Sequence, residues 1–460
     1  METTKDLQVM LGNPKKAILS MTLPIAFSIL IGSVNSFADL AWCAWLGSAA
    51  LSVVGLMNTL YLLIAGIGNG IGIGASIAIS RHLGREDHIG ANKCAAQALS
   101  LTILLSIIVS LILLIFRVPL LSAMGAGPIM EDCIAYSLPL FGFAIVVLMN
   151  GVISGLLRSE GAAKKSMGML AMAAILNIIL DPTFMYIYHM GVVGSAWATV
   201  VAMSISGVVG LLWYARGRML VKIKLRDLKI DREAMEDVLY ISVPQTIELS
   251  VVSIMDMVLN WFVITCGGTD GLAVYNTTWE FVLLAVIPAY AISAAMISVC
   301  SAALSNNDYD KARVAYRFSL KITVAVMIIG SVFLAVFAQY AVHIFTFTAE
   351  TSHLRSEMIQ ALRIYCIIIP FFGIMQLGSS LFQALRSPKK SLICSLARII
   401  LITALYAYAF TVSMDAIYWS LCIGEVVGGV MMLSWSLLSF RSEERHYISS
   451  KAAVAKLQIG

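Results

Sequence analysis

The sequence predicts an all-α integral membrane protein. About twelve transmembrane helices form two six-helix lobes, related by pseudo-twofold symmetry along the membrane normal. Three observations predict this: the hydropathy, the alternation of basic loops, and an internal repeat. The chain has 460 residues, of which 60% are hydrophobic and only 12% charged. Its mean hydropathy is +0.89. A soluble domain carries roughly twice that charge fraction and has no surface on which to leave so much apolar area. A soluble enzyme, a nucleic-acid binder and a disordered scaffold are therefore all excluded. The apolar runs are continuous and helix-length, unlike the short alternating runs of a membrane barrel.

A spanning helix needs about 20 apolar residues. Runs of that kind fall at 17–45, 50–80, 92–116, 130–157, 165–188 and 192–215, then at 236–265, 276–304, 315–346, 357–385, 390–412 and 416–440. Basic residues cluster in every second connection: Lys15 and Lys16, then Arg81, Arg85 and Lys93, then Arg158, Lys164 and Lys165, then 216–232, and so on to Arg441 and Arg445. Basic loops mark the cytoplasmic side. Both termini are therefore expected in the cytoplasm of a multi-pass plasma-membrane protein, and the net charge of +5 needs no nucleic-acid partner.

The repeat supplies the lobes. His82-Leu-Gly-Arg-Glu-Asp87 resembles Ala303-Leu-Ser-Asn-Asn-Asp308, and Leu157-Arg-Ser159 with Lys164-Lys-Ser166 resembles Leu385-Arg-Ser387 with Lys389-Lys-Ser391. Pro24 and Pro244 open corresponding spans. The expected units are 1–215, a basic cytoplasmic linker at 216–235, 236–440, and a cytoplasmic tail at 441–460. An even number of spans per half gives the halves one orientation, and such repeats place their cargo at the repeat interface. A cavity between lobes of one chain needs no second copy, so a monomer is expected.

Acids inside spans carry the chemistry, because an ionised carboxylate at bilayer depth costs several kcal/mol unless a site or partner retains it. Asp39 and Asp181 lie in the first half; Glu248, Asp256, Glu280 and Glu425 lie in the second. No Lys or Arg within the first lobe's spans neutralises Asp39 or Asp181. Asn177 precedes Asp181 by one helical turn and shares its face. Pro182 frees a carbonyl one turn earlier and invites a kink. Carboxylate, amide and carbonyl oxygens suit a hard cation such as Na⁺, and two close, desolvated carboxylates equally suit H⁺. The choice of ion stays open.

Other motifs have plainer meanings. Gly66-Ile-Gly-Asn-Gly-Ile-Gly-Ile-Gly74 gives overlapping GxxxG patterns, which let helices pack closely. A nucleotide loop would need a strand and a βαβ unit. No GxxxxGK[ST] or HExxH pattern occurs, so neither direct ATP coupling nor metalloprotease chemistry is indicated and no cofactor is called for. The eight Cys include no CxxC pair, and no zinc site is expected. The Met and aromatic residues, Tyr275 among them, are core or lipid-facing residues for the most part, with a subset able to line an adaptable cavity.

Taken together, the six-plus-six layout, Pro24 with Asp39, Leu83-Gly84 with its charged loop, and above all Asn177-Ile-Ile-Leu-Asp181-Pro182 followed by Gly191-Val-Val-Gly-Ser-Ala-Trp-Ala-Thr199 resemble the multidrug and toxic compound extrusion (MATE) family. The likeness covers nearly the whole chain and is nearest the DinF-like branch. It implies a transporter, not an enzyme: a secondary antiporter that exports small organic, mostly cationic compounds across the lipid bilayer in exchange for Na⁺ or H⁺. It also implies a cation site of Asp39, Asn177, Asp181 and Thr199, which holds Na⁺ if sodium is the ion. Pro24 and Pro182 are the expected hinges. Glu248, Asp256, Tyr275 and Glu280 are candidates for the substrate cavity. The rival reading is a lipid-linked saccharide flippase of the same superfamily. Its pyrophosphate cargo needs basic residues in the cavity, and Arg363 and Arg398 are the only ones well placed within spans.

Overall fold

The computed structural model describes residues 5–459 except 45, 47, 125, 224–228, 230, 344–345 and 347–351. Some predicted linker positions thus lie outside the described residues. Among those described there is no strand. The helices run α1 (Lys5–Leu11), α2 (Pro14–Ala44), α3 (Ser48–Gly84), α4 (His88–Ile115), α5 (Arg117–Ala123), α6 (Met130–Gly142), α7 (Ala144–Ser159), α8 (Ala163–Pro182) and α9 (Val192–Ala215). They continue as α10 (Arg232–Ser305), α11 (Tyr309–Val336), α12 (Ala338–His343), α13 (Arg355–Cys366), α14 (Ile368–Ala384), α15 (Pro388–Ala409) and α16 (Met414–Ile459).

Among the described residues, ten helices are long and apolar enough to cross a membrane. The number is twelve if each of two bent pairs forms one span. The pairs are Met130–Gly142 with Ala144–Ser159, bent by 48°, and Ser352–Cys366 with Ile368–Ala384, bent by 40°. Pro139 and Pro370 flank the bends and remove helix hydrogen bonds there. One connection is much shorter than the hydropathy suggested. Instead of a loop across 266–275, α10 breaks at Gly268 alone, at φ +62° and ψ −156°. Essentially only glycine takes that conformation.

The chain forms two compact units, Met1–Ser250 and Val251–Gly460. In the first, α3 crosses α7 through the glycine run. A Cβ on Gly155 would sit 2.7 Å from Gly72 Cα, and one on Gly68 would sit 2.7 Å from Leu148 Cα. Alternate glycines of the same run, Gly70 and Gly74, face Thr246 and Ser242 at the start of α10. The run therefore serves two packing faces, as the small-residue rule predicts.

The segment after α9 is held against the first unit by several side chains. Gln97 donates to the Lys229 carbonyl at 2.7 Å, Asn92 accepts from Lys222 N–H at 2.7 Å, and Lys93 pairs with Asp231 at 2.7 Å. Glu160, just beyond α7, is buried and accepts the Leu220 N–H at 2.7 Å. Burial raises its carboxyl to about 7, outweighing the N–H groups that favour the ionised form.

The second unit repeats local detail of the first. Glu86 and Asn307 both take positive φ, and Asp87 and Asp308 then cap α4 and α11 through Gly90 N–H and Lys311 N–H, each at 2.9 Å. Ser154–Ser166 and Ser379–Ser391 bond at 2.8 and 2.7 Å. Positive φ at Gly161 and Arg386 keeps the register of those serine pairs. The Leu-Arg-Ser match is therefore three residues out of register, because the turn and not the tripeptide sets the alignment. The expected tail is a continuation of α16 to Ile459; Glu444 pairs with Arg313, and Tyr447 stacks on Tyr309 at 5.1 Å.

Candidate functional site

The polar site of the first unit is built by two helices with the same motif. α2 carries Asn35 one turn before Asp39, and α8 carries Asn177 one turn before Asp181. Residues four apart share a face, so each helix presents an amide and a carboxylate together. The two faces meet. Asn35 Nδ2 donates to Asn177 Oδ1 at 2.9 Å and lies 3.4 Å from Asp39 Oδ2, while Asn177 Nδ2 donates to Asp181 Oδ1 at 3.1 Å. Asn177 and Asp181 are buried.

The carboxyls of Asp39 and Asp181 stand within hydrogen-bonding reach of each other. Asp39 Oδ1, Asp181 Oδ2 and Asn35 Oδ1 are buried with no donor. Two ionised carboxylates only accept. The unsatisfied atoms of the cluster are all oxygens, which a proton shared by the acids or a small hard cation could satisfy. The site opens on a cavity of about 380 Å³ lined by Asp39, Asn177, Thr199, Asn69, Tyr61 and Tyr136, among others.

Local geometry brings these residues in. Proline at 182 ends the regular α8 ladder, and the chain continues as a π-helical turn over Thr183–Ile187. Gly191, at φ +58°, then reverses it into α9, which returns Thr199 to the cavity. Pro24 sits within an unbroken α2, where Ser28 Oγ donates to the Pro24 carbonyl at 2.9 Å.

Asp39, Asn177, Asp181 and Thr199 are therefore gathered in one place. The residue that sequence reasoning missed is Asn35, although its signal was present: the Asn-x-x-x-Asp spacing of α8 recurs in α2. The four residues expected in a substrate cavity are more dispersed. Glu248 belongs to the first unit and is half-buried; Asp256 and Glu280 are exposed in the second. Tyr275 is buried and packs edge-on against Tyr365 at 6.2 Å, within an aromatic core that includes Trp279 and Tyr418.

In the second unit, the position that the repeat matches to Asp181 holds Tyr406, which is fully buried. A largely buried ion pair lies elsewhere in this unit: Arg398 of α15 pairs with Glu425 of α16. Gly428, one turn beyond Glu425, leaves room for the Arg398 stem. Arg398 is thereby neutralised, and Arg363 is exposed on α13, so neither is an unpaired buried cation of the kind a pyrophosphate cargo requires.

Comparison with known proteins identifies the family and the fold. The multidrug export protein MepA of Staphylococcus saprophyticus is 23% identical over 418 residues, covering 90% of this chain and 91% of that protein. MepA of Staphylococcus aureus is 26% identical over 270 residues, 58% of this chain and 59% of that protein. Among solved structures, a MOP superfamily transporter from Pyrococcus furiosus superposes with a TM-score of 0.92 at 28% identity, covering 96% of this chain and 99% of that one. A multidrug resistance MATE family transporter in an outward-facing conformation matches equally well, with TM-score 0.92, 28% identity and the same 96% and 99% coverage. The MatE family model matches residues 24–183 and 244–409, more than half of the sequence, and this chain belongs to the MatE family.

Proposed function

We propose that this protein is a secondary antiporter that exports small organic, mostly cationic compounds while a cation, Na⁺ or H⁺, enters down its gradient. The observation that carries the proposal is the pair of buried carboxyls, Asp39 and Asp181, whose facing oxygens lack a donor. The cavity beside them is lined by tyrosines, asparagines and apolar residues together with one arginine, Arg158; it suits an organic cation whose charge the acids attract and whose rings meet Tyr61 and Tyr136, away from Arg158. The multidrug exporters and transporters among the relatives support the same reading.

Exchange requires that ion and substrate compete for one site or favour different conformations. Occupation of the Asp39–Asp181 pair removes the negative charge that attracts an organic cation. It also draws α2 and α8 together through Asn35 and Asn177. Pro24 is the weak point of α2: without an N–H it leaves the Ser20 carbonyl unbonded, so bending there breaks no bond at that position. Relatives 29% identical to this chain have been solved in straight and in bent conformations, which supports a hinge reading of Pro24.

The test is ethidium efflux from loaded cells at matched membrane expression, with and without Na⁺. Asp39→Asn and Asp181→Asn are expected to abolish efflux, and Asn35→Ala to raise the cation concentration needed for half-maximal rate. Stimulation by Na⁺ identifies sodium as the ion; sensitivity to a protonophore identifies H⁺. Full efflux by both Asp variants sinks the mechanism.

A further inference from the structure

We infer that the first unit carries a site for a thiophilic divalent metal ion, Zn²⁺ foremost, formed by His82, Cys94 and Asp237. Three separate elements contribute. His82 lies in the last turn of α3, Cys94 in the second turn of α4, and Asp237 in the second turn of α10. One ligand atom from each lies within 4.8 Å of the other two. A tetrahedral zinc with bonds of about 2.0–2.3 Å places its ligand atoms roughly 3.3–3.8 Å apart. His82 Nε2 and Asp237 Oδ2 already stand 3.7 Å apart, and the Cys94 sulfur lies within 4.8 Å of both ligand atoms.

The imidazole is oriented for the task. His82 Nδ1 is 2.7 Å from Asp87 Oδ2; in the tautomer that carries its proton on Nδ1, the ring donates to Asp87 and presents the Nε2 lone pair to Asp237. Two acceptors then face each other at a distance too long for a hydrogen bond. This carboxylate–histidine arrangement is the one that holds metal-ligating imidazoles. Asp87 is itself fixed: its other oxygen accepts the Gly90 N–H at 2.9 Å as the cap of α4. Cys94 is buried, while His82 and Asp237 retain side-chain exposures of 26% and 18%, which leaves an entry path and room for water as a fourth ligand. Lys93, next to Cys94 in sequence, pairs with Asp231 at 2.7 Å.

A thiolate, an imidazole and a carboxylate select zinc over magnesium or calcium. The ion ties the α3–α4 turn to the first turns of α10, just after the segment that Gln97, Asn92 and Glu160 hold. The ligand set was invisible as a motif because Asp237 is remote in sequence and is brought in by packing of α10 on the glycine run.

The test uses the full-length chain in detergent, free of any affinity tag and treated with chelator, titrated with Zn²⁺ and separately with Co²⁺. The expected result is one ion per chain, with a thiolate-to-cobalt charge-transfer band. Cys94→Ser removes the band, and His82→Ala weakens zinc binding at least tenfold. Because Cys94 is buried, Asp237→Asn provides a surface variant with the same expectation. Asp87→Asn keeps the helix cap, since Asn caps as well as Asp, and weakens binding roughly 10–100-fold. Substoichiometric binding by the wild type overturns the proposal, leaving His82 as a polar link between Asp87 and Asp237. Unchanged binding in the Cys94 and Asp237 variants also overturns it.

Discussion

Glu160 makes the stability of the first unit depend on pH. Its side chain is 1% exposed, one oxygen accepts the Leu220 N–H, and the other, Oε1, is buried with no donor. Burial lifts its carboxyl from 4.5 to about 7 in the folded protein. A raised acid is favoured by the fold in its protonated form. Its stabilising contribution is therefore complete below 4.5, the unfolded value, and is lost as pH rises through 7. The full difference is about 3 kcal/mol, most of it between pH 5 and pH 8. Glu160→Gln keeps the oxygen that accepts from Leu220 and removes the titration. Thermal unfolding of both proteins in detergent, followed across pH 5–8, measures the difference. The wild type is expected to lose about 2–3 kcal/mol relative to the Gln variant over that range. Parallel pH profiles for the two proteins refute the reasoning. So does a wild type that gains stability on ionisation, because the N–H groups would then outweigh burial.

Two further perturbations test the packing. Gly155→Ala places a methyl against the backbone of Gly72, which cannot rotate away; we expect about 1–3 kcal/mol of destabilisation. Gly168→Ala on α8, with nothing within 4 Å of the new methyl, is the control and is expected to be neutral or better. Arg398→Met strands Glu425 in an apolar setting and is expected to cost about 3–5 kcal/mol, whereas adding Glu425→Met restores most of it. Equal losses in the single and double variants, measured by thermal unfolding, contradict a pairing role.

The spans were legible because hydrocarbon imposes a length and a composition on every crossing helix. The register of the repeat was legible only where turn chemistry is encoded, as at Asp87 and Asp308. It misled at Leu157-Arg-Ser159, where a shared tripeptide outweighed a positive-φ position that the sequence marks with glycine in one copy and arginine in the other. The polar residues divide differently. Their type and depth could be read directly, so Asp39, Asp181 and Glu425 all stood out. Their partners could not, because helix crossings decide which faces meet.

That division also separates structure from function. A carboxylate deep in an apolar fold must find positive charge, a donor or a proton. Glu425 finds Arg398 on the neighbouring helix, so a permanent counter-charge makes the pair a fixed brace between α15 and α16. Asp39 and Asp181 find two amides and each other, with one oxygen apiece left without a donor. Among the described residues no lysine or arginine is paired with either acid, although Arg158 lines the cavity beside them; on the proposed mechanism their charge is balanced by an ion that enters and leaves. A site whose counter-ion is exchangeable has two states of different charge. On that reading, the helices that carry it, α2 with Pro24 in its interior and α8 ended at Pro182, each lack a backbone hydrogen bond and resist bending less than a regular helix.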